Sequence, residues 1–163
     1  MINESGLYGI RVSSPGSLQP VLGFIDCGAT FSALNWAAAG YLGLPEKTDT
    51  KAYANAPAVT AVGIDGKPLL LPTRRTQLTY VGDAQKDPTT GGLTFEPPPS
   101  KWKLWDPVQV AIGDLPVFRD LLGDGIRPYE GPACLIGLDI LAQRRVILET
   151  GGTRRRRLWV SPS

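Results

Sequence analysis

Turn-forming residues cut this chain into short pieces. Its 19 glycines and 15 prolines are spread over 163 residues, about a fifth of the chain and above ordinary usage. Proline inside a helix removes a hydrogen bond and clashes with the preceding turn, and glycine there costs backbone entropy. The chain is therefore expected to fold as many short strands joined by turns, not as a helical bundle. Nothing marks a second domain, so residues 1–163 are read as one domain with a sizeable core.

The local pattern fills in this outline. Residues 7–13 alternate and are rich in β-formers, which predicts a strand. Residues 14–19 carry a Pro-Gly turn. Residues 21–26 run apolar up to Asp26, as a buried strand does. The alanine-rich stretch 35–42 predicts a short helix, closed by Gly43 and Pro45. Residues 59–80 hold two strand-like stretches, the first turning at Ile64-Asp65-Gly66-Lys67, where Asp-Gly is a strong hairpin signal and Asp65 reads as turn chemistry. Residues 82–104 form a Gly- and Pro-rich insertion, clearest as a loop over 82–100, with Pro97-Pro98-Pro99 near its end. It is too long for an ordinary connection. Strands are expected at 107–112, 133–137, 146–149 and 156–160, the last two around a turn at 150–153. A short helix is expected over 139–144, with Asp139 as its N-cap or as a partner for Arg144. Trp36 and Trp159 read as core, and Trp102 and Trp105 as packing at the end of the insertion. The expected architecture is mainly β, with one or two short helices.

Absences narrow the chemistry. There is no histidine, which removes Ser-His and Cys-His catalysis and most zinc sites. Two cysteines, Cys27 and Cys134, supply neither a disulfide framework nor a four-cysteine metal site. A reducing intracellular compartment is favoured. The net charge of +2 points to no nucleic-acid or membrane partner. The basic run Arg154 to Arg157 reads as a solvated strand. No apolar stretch approaches the ~20 residues of a membrane span, and residues 1–6 do not read as a signal peptide.

The segment that carries chemistry is Phe24-Ile25-Asp26-Cys27-Gly28-Ala29-Thr30. A buried strand delivers a carboxylate to a fixed place. Gly28 then lets a backbone or a substrate approach closely, and the small Ala29 leaves the floor of a cleft open. Asp26-Cys27-Gly28-Ala29 resembles the Asp-Thr/Ser-Gly-Ala motif of retropepsins, the retroviral and retrotransposon aspartic proteases and their cellular relatives. Cys134-Leu135-Ile136-Gly137-Leu138-Asp139-Ile140-Leu141 is similar to the apolar-apolar-Gly-x-Asp-x-Leu segment that follows the flap in retrotransposon-type members. The order of the two segments also fits, and together the resemblance spans about residues 7–160.

That resemblance implies a small closed β-barrel and a homodimer in which each copy supplies one aspartate. Asp26 is then the catalytic residue, and Cys27, Gly28, Ala29 and Thr30 form the active-site loop. The substrate is an extended peptide or protein segment, and the chemistry requires no metal and no cofactor. A flap over 62–71 closes on it, with Gly63, Ile64, Asp65 and Gly66 at its tip, and Leu135 and Ile136 line side-chain pockets. Two carboxylates held close share one proton, so one acts as base on a water while the other donates to the scissile carbonyl. Cys27 departs from the usual hydroxyl residue and Thr30 from the Asp frequent in retroviral enzymes. These departures leave open a second reading, a catalytically inactive dimerisation or assembly domain. A disulfide between Cys27 and Cys134 is a further possibility of the sequence.

Overall fold

A computed structural model describes residues 7–17, 19–62, 66–123, 127–149 and 158–162. In chain order its elements begin with β1 (Gly9–Ser13), β2 (Val21–Ile25), β3 (Ala33–Leu34), α1 (Trp36–Tyr41), α2 (Thr50–Tyr53), β4 (Ala58–Val62), β5 (Pro68–Thr76) and β6 (Thr79–Tyr80). They continue with β7 (Ala84–Lys86), β8 (Leu93–Phe95), β9 (Val108–Ile112), α3 (Pro116–Leu122), β10 (Ala133–Ile136), α4 (Leu138–Leu141), β11 (Val146–Leu148) and β12 (Leu158–Val160). The fold is mainly β, with four short helices among the described residues.

Eight strands form one sheet in the order β4-β5-β9-β3-β10-β2-β1-β6. Strand β10 is the centre of the design. It runs parallel to β2, with Leu135 opposite Phe24 and Ile136 opposite Ile25, and antiparallel to β3 on its other side. Side chains alternate across the sheet with period two, and around β2, β3, β9 and β10 both faces are covered. Val21, Ile25, Leu34, Val110, Ile112, Cys134 and Ile136 face one core, closed by Ala38 and Ala39 of α1, Ile140 and Leu141 of α4, and Trp105. Phe24, Ala33, Ala111, Ala133 and Leu135 face a second core, closed by Leu71 and by Phe118 and Leu122 of α3. Burial on both faces is why β2 and β10 read as unbroken apolar runs instead of alternating ones.

The short helices are set by their caps. Asn35 caps α1, its side chain accepting from the Ala38 N–H, and Gly43 at φ 74° turns the chain after the helix. Asp49 caps α2 in the same way through the Ala52 N–H. A proline in the first turn starts α3, where its missing N–H costs nothing. Helices α2 and α3 exceed the one or two expected. Each is so short that its apolar stripe leaves no readable period.

Three further expectations are corrected. The strands do not close into a barrel. Strand β4 pairs only with β5, and β6 only with β1, so among the described residues the sheet is open. The apolar faces of its central strands are covered by helices and by the antiparallel pair β11–β12, whose Val146, Leu158 and Val160 pack on the first core. Closure is therefore not needed to bury them. The insertion is also not a plain loop, because β7 and β8 pair within it as a hairpin. Trp159 is 54% exposed and not core, whereas Trp105 is buried and Trp36 packs against the core at half-burial. The 154–157 run lies outside the described residues.

Candidate active site

Asp26 is the first residue past β2, and its N–H still donates to the Ile136 carbonyl at 3.0 Å. The buried strand thus carries the carboxylate to the end of the sheet, where it becomes half-buried. Its Oδ1 accepts the Gly28 N–H at 2.9 Å, and its carbonyl accepts the Ala29 N–H at 3.2 Å. These bonds fold residues 26–29 into a tight turn. Cys27, Gly28 and Thr30 are exposed and Ala29 is half-buried. Phe31 follows at 50% exposure. The loop therefore presents one carboxylate, a small floor and an apolar side chain at the surface.

The loop leaves the sheet from β2 and returns through β3, on the other flank of β10. It must cross the end of β10, and Gly137 sits under the crossing. A Cβ there would stand 2.7 Å from the Phe31 carbonyl carbon and oxygen and 2.9 Å from the Ala29 oxygen. Just beyond, the Leu138 N–H donates to Ala29 O at 2.9 Å and the Asp139 N–H to Thr30 O at 3.2 Å. The start of α4 thus supports the loop from below.

Asp139 completes that support with its side chain. Its carboxylate accepts the Ser32 N–H at 3.0 and 3.1 Å and the Ser32 hydroxyl at 2.6 Å. It also accepts the Ile140 N–H at 2.9 Å. The Ser32 hydroxyl in turn accepts the Gly137 N–H at 3.0 Å. Both sequence expectations for Asp139 are corrected. Gly137 is the N-cap of α4, with Asp139 inside the first turn. The Arg144 guanidinium donates to the carbonyls of Gln143, Lys103 and Leu104. The Ser32–Asp139 pair was not foreseen, although a serine wedged between Phe31 and Ala33-Leu34 in an apolar stretch was a signal for it.

The other candidate residues fall in two places. Leu135 and Ile136 are buried, Leu135 in the second core and Ile136 in the first. Gly63, Ile64 and Asp65 lie outside the described residues. Gly66 is exposed with φ 70°, the left-handed region glycine tolerates. The arms of that hairpin pair antiparallel, Val62 opposite Pro68 and Val59 opposite Leu71. One face carries Val59, Ala61 and Leu71 against the second core, and the other leaves Val62 and Leu70 at 66% and 74% exposure.

The cysteines are apart in environment. Cys27 is exposed, Cys134 is buried, and both are free thiols. Burial, and secondarily the charge of Asp139, pushes the Cys134 thiol far above its ordinary range. A cavity of about 840 Å³ lies elsewhere, lined by Arg11, Tyr80, Asp83, Lys101, Trp102 and Trp159 among others, with no residue of the Asp26 loop in its wall. Among the described residues no three His, Cys, Asp or Glu side chains gather as metal ligands.

No family model matches the chain, and no curated protein matches it. Among solved structures, the crystal structure of a retropepsin-like aspartic protease from Rickettsia conorii is similar to it, with a TM-score of 0.48 and 17% identity, over 91% of this chain and 88% of that one.

Proposed function

We propose that this chain is one half of an aspartic endopeptidase, and that two copies bring their Asp26 carboxylates together around a water. The placement of Asp26 carries the proposal: a half-exposed carboxylate at the tip of a strand buried on both faces, with its loop fixed from below. A lone carboxylate at a surface is a poor catalyst for amide hydrolysis. Two held close share a proton, and the pair then offers a base and an acid at once. Asp139 is a poor candidate for the second member, because its oxygens are occupied by Ser32 and Ile140. A second copy supplies the missing acid with the same geometry.

In this reading the charged Asp26 takes a proton from the water as the water attacks the scissile carbonyl. The protonated Asp26 of the other copy donates to the carbonyl oxygen. The first Asp26 then passes the proton it took from the water to the leaving amine as the C–N bond breaks. The proton on the former carbonyl oxygen returns to the other Asp26, which restores the singly protonated pair. Gly28 and Thr30 offer backbone groups to an extended peptide. The β4–β5 hairpin is the closing flap, and Val62, Leu69 and Leu70 give it apolar surface, each more than a third exposed. Cys27 stands where a hydroxyl residue is usual, and a thiol is the weaker hydrogen-bonding group. That substitution favours the second reading, an assembly domain that has lost catalysis.

The deciding experiment is cleavage of a mixed peptide library between about pH 4 and pH 7, the range that brackets a carboxylate pair. The native chain is compared with Asp26→Asn at matched concentration. Cleavage that vanishes in the variant, and rises more steeply than linearly with protein concentration, is the expected result. No cleavage by a folded, dimeric native chain would establish the assembly reading instead. Equal cleavage by both would remove Asp26 from the chemistry.

A further inference from the structure

We infer that Ser32 and Asp139 form a latch that sets the height of the Asp26 loop over β10, which makes Asp139 a positioning residue for the Asp26 carboxylate. The role in catalysis rests on the endopeptidase reading; the role in ordering the loop does not. Three observations converge on it. The loop is draped over Gly137 with no room for a Cβ, so its distance from α4 is fixed by contact. Two successive α4 amides, of Leu138 and Asp139, hold the carbonyls of Ala29 and Thr30. The Asp139 carboxylate then takes both donors of Ser32, and the Ser32 hydroxyl takes the Gly137 N–H, closing a ring of bonds between residues 107 apart.

The chemistry gives the ring its purpose. Hydrogen bonds to an ionised acceptor are about twice as strong as neutral ones. The bond from the Ser32 hydroxyl, at 2.6 Å, lies in the short range such bonds occupy. Ser32 is buried, so no water replaces a lost partner. Only five residues, 27–31, separate Asp26 from the latch. A loop this short transmits a shift at Ser32 to the Asp26 side chain. A carboxylate pair tolerates little shift, because misplacement by about 1 Å costs on the order of a hundredfold in rate.

The test uses Asp139→Ala, Asp139→Asn and Ser32→Ala, each studied well below its unfolding temperature. Two readouts are taken: kcat and KM on a peptide cleaved by the native chain, and hydrogen exchange of the Gly28 and Ala29 amides. Asp139→Ala is expected to lower kcat about a hundredfold while KM moves less than about threefold, and to speed exchange at both amides. Asp139→Asn keeps an acceptor oxygen toward Ser32, so it is expected to recover about tenfold of the loss. Ser32→Ala, which leaves Asp139 in place, is expected to fall between them. Exchange at Gly28 and Ala29 unchanged in all folded variants overturns the latch. Faster exchange with unchanged kcat overturns the positioning role. A native chain that cleaves nothing defeats the endopeptidase reading, and the exchange data still decide whether the latch orders the loop. Should Asp139→Ala fail to fold, the other two variants carry both readouts.

Discussion

Asn35 and Ala133 hold each other reciprocally across 98 residues of chain. The Asn35 N–H donates to the Ala133 carbonyl at 3.0 Å, and the Ala133 N–H donates to Asn35 Oδ1 at 3.0 Å. The same oxygen caps α1 through the Ala38 N–H, and Nδ2 donates to Gly131 O at 2.7 Å. One buried amide therefore closes a helix and starts strand β10, which carries the segment beneath the Asp26 loop. Asn35→Ala removes the cap and leaves two buried amides and a carbonyl without partners. It is expected to cost about 2–4 kcal/mol, read as a lower urea midpoint at unchanged slope. A loss under about 0.5 kcal/mol would mean that water satisfies these groups.

Gly137→Ala tests the crossing of the loop over β10. The added methyl meets backbone atoms of Phe31 and Ala29 closer than 3 Å, and backbone cannot rotate away as a side chain can. Overpacking of this kind costs about 1–3 kcal/mol. The expected result is a lower melting temperature with the Leu138–Ala29 bond lost, seen as faster exchange of the Leu138 amide. Unchanged exchange would place the strain elsewhere.

The two thiols are expected to separate cleanly. Cys27 should react with an aromatic disulfide reagent in the native protein, and Cys134 only after unfolding. Because burial raises the Cys134 pKa above its ordinary 9.0, the folded state holds that proton more tightly than the unfolded one. The resulting stability is present below about pH 9 and lost as pH rises above it. Burial raises Tyr53, Tyr80 and Tyr129 too, with the same sign. The thiol is isolated by comparing the native chain with Cys134→Ala. The variant should be less stable at neutral pH, from the cavity it leaves, and should lose less stability between pH 9 and pH 11. Parallel curves would show that the thiol contributes nothing to the slope.

The strands that position the site were legible because burial on both faces writes them as apolar runs. Val21–Ile25 ending on Asp26, and Ala133–Ile136 ending on Gly137, stand where the sequence placed them. What joins them was less legible. That β10 inserts between β2 and β3 is a long-range pairing, and a strand pattern names no partner. The roles of Ser32, Asn35 and Asp139 arise only from that insertion. Asp139 read as a cap because capping is local chemistry visible in sequence, while its true partner lies 107 positions away. Helix α3 was missed for a different reason: Pro116 reads as a break when it starts a helix.

The insertion offers the last test. Its base is already a closed turn, with the Gly82 N–H on Glu96 O at 2.9 Å and the Glu96 N–H on Asp83 O at 3.1 Å. Beyond that base, β7 and β8 are mostly exposed, and the Arg11 guanidinium of β1 lies over the Phe95 ring at 5.9 Å. The Arg11–Asp83 ion pair, at 3.6 Å, stays on the near side of the base. Replacing residues 84–95 by Asn-Gly joins Asp83 to Glu96 through a type I′ turn. An exposed cation–π contact is worth about 0.5–1 kcal/mol, and the shorter loop recovers part of that in closure entropy. Stability is therefore expected to fall by less than about 1 kcal/mol, with cleavage of the library peptides retained. A larger loss would make the hairpin part of the fold. Retained stability with altered cleavage would make it part of the function.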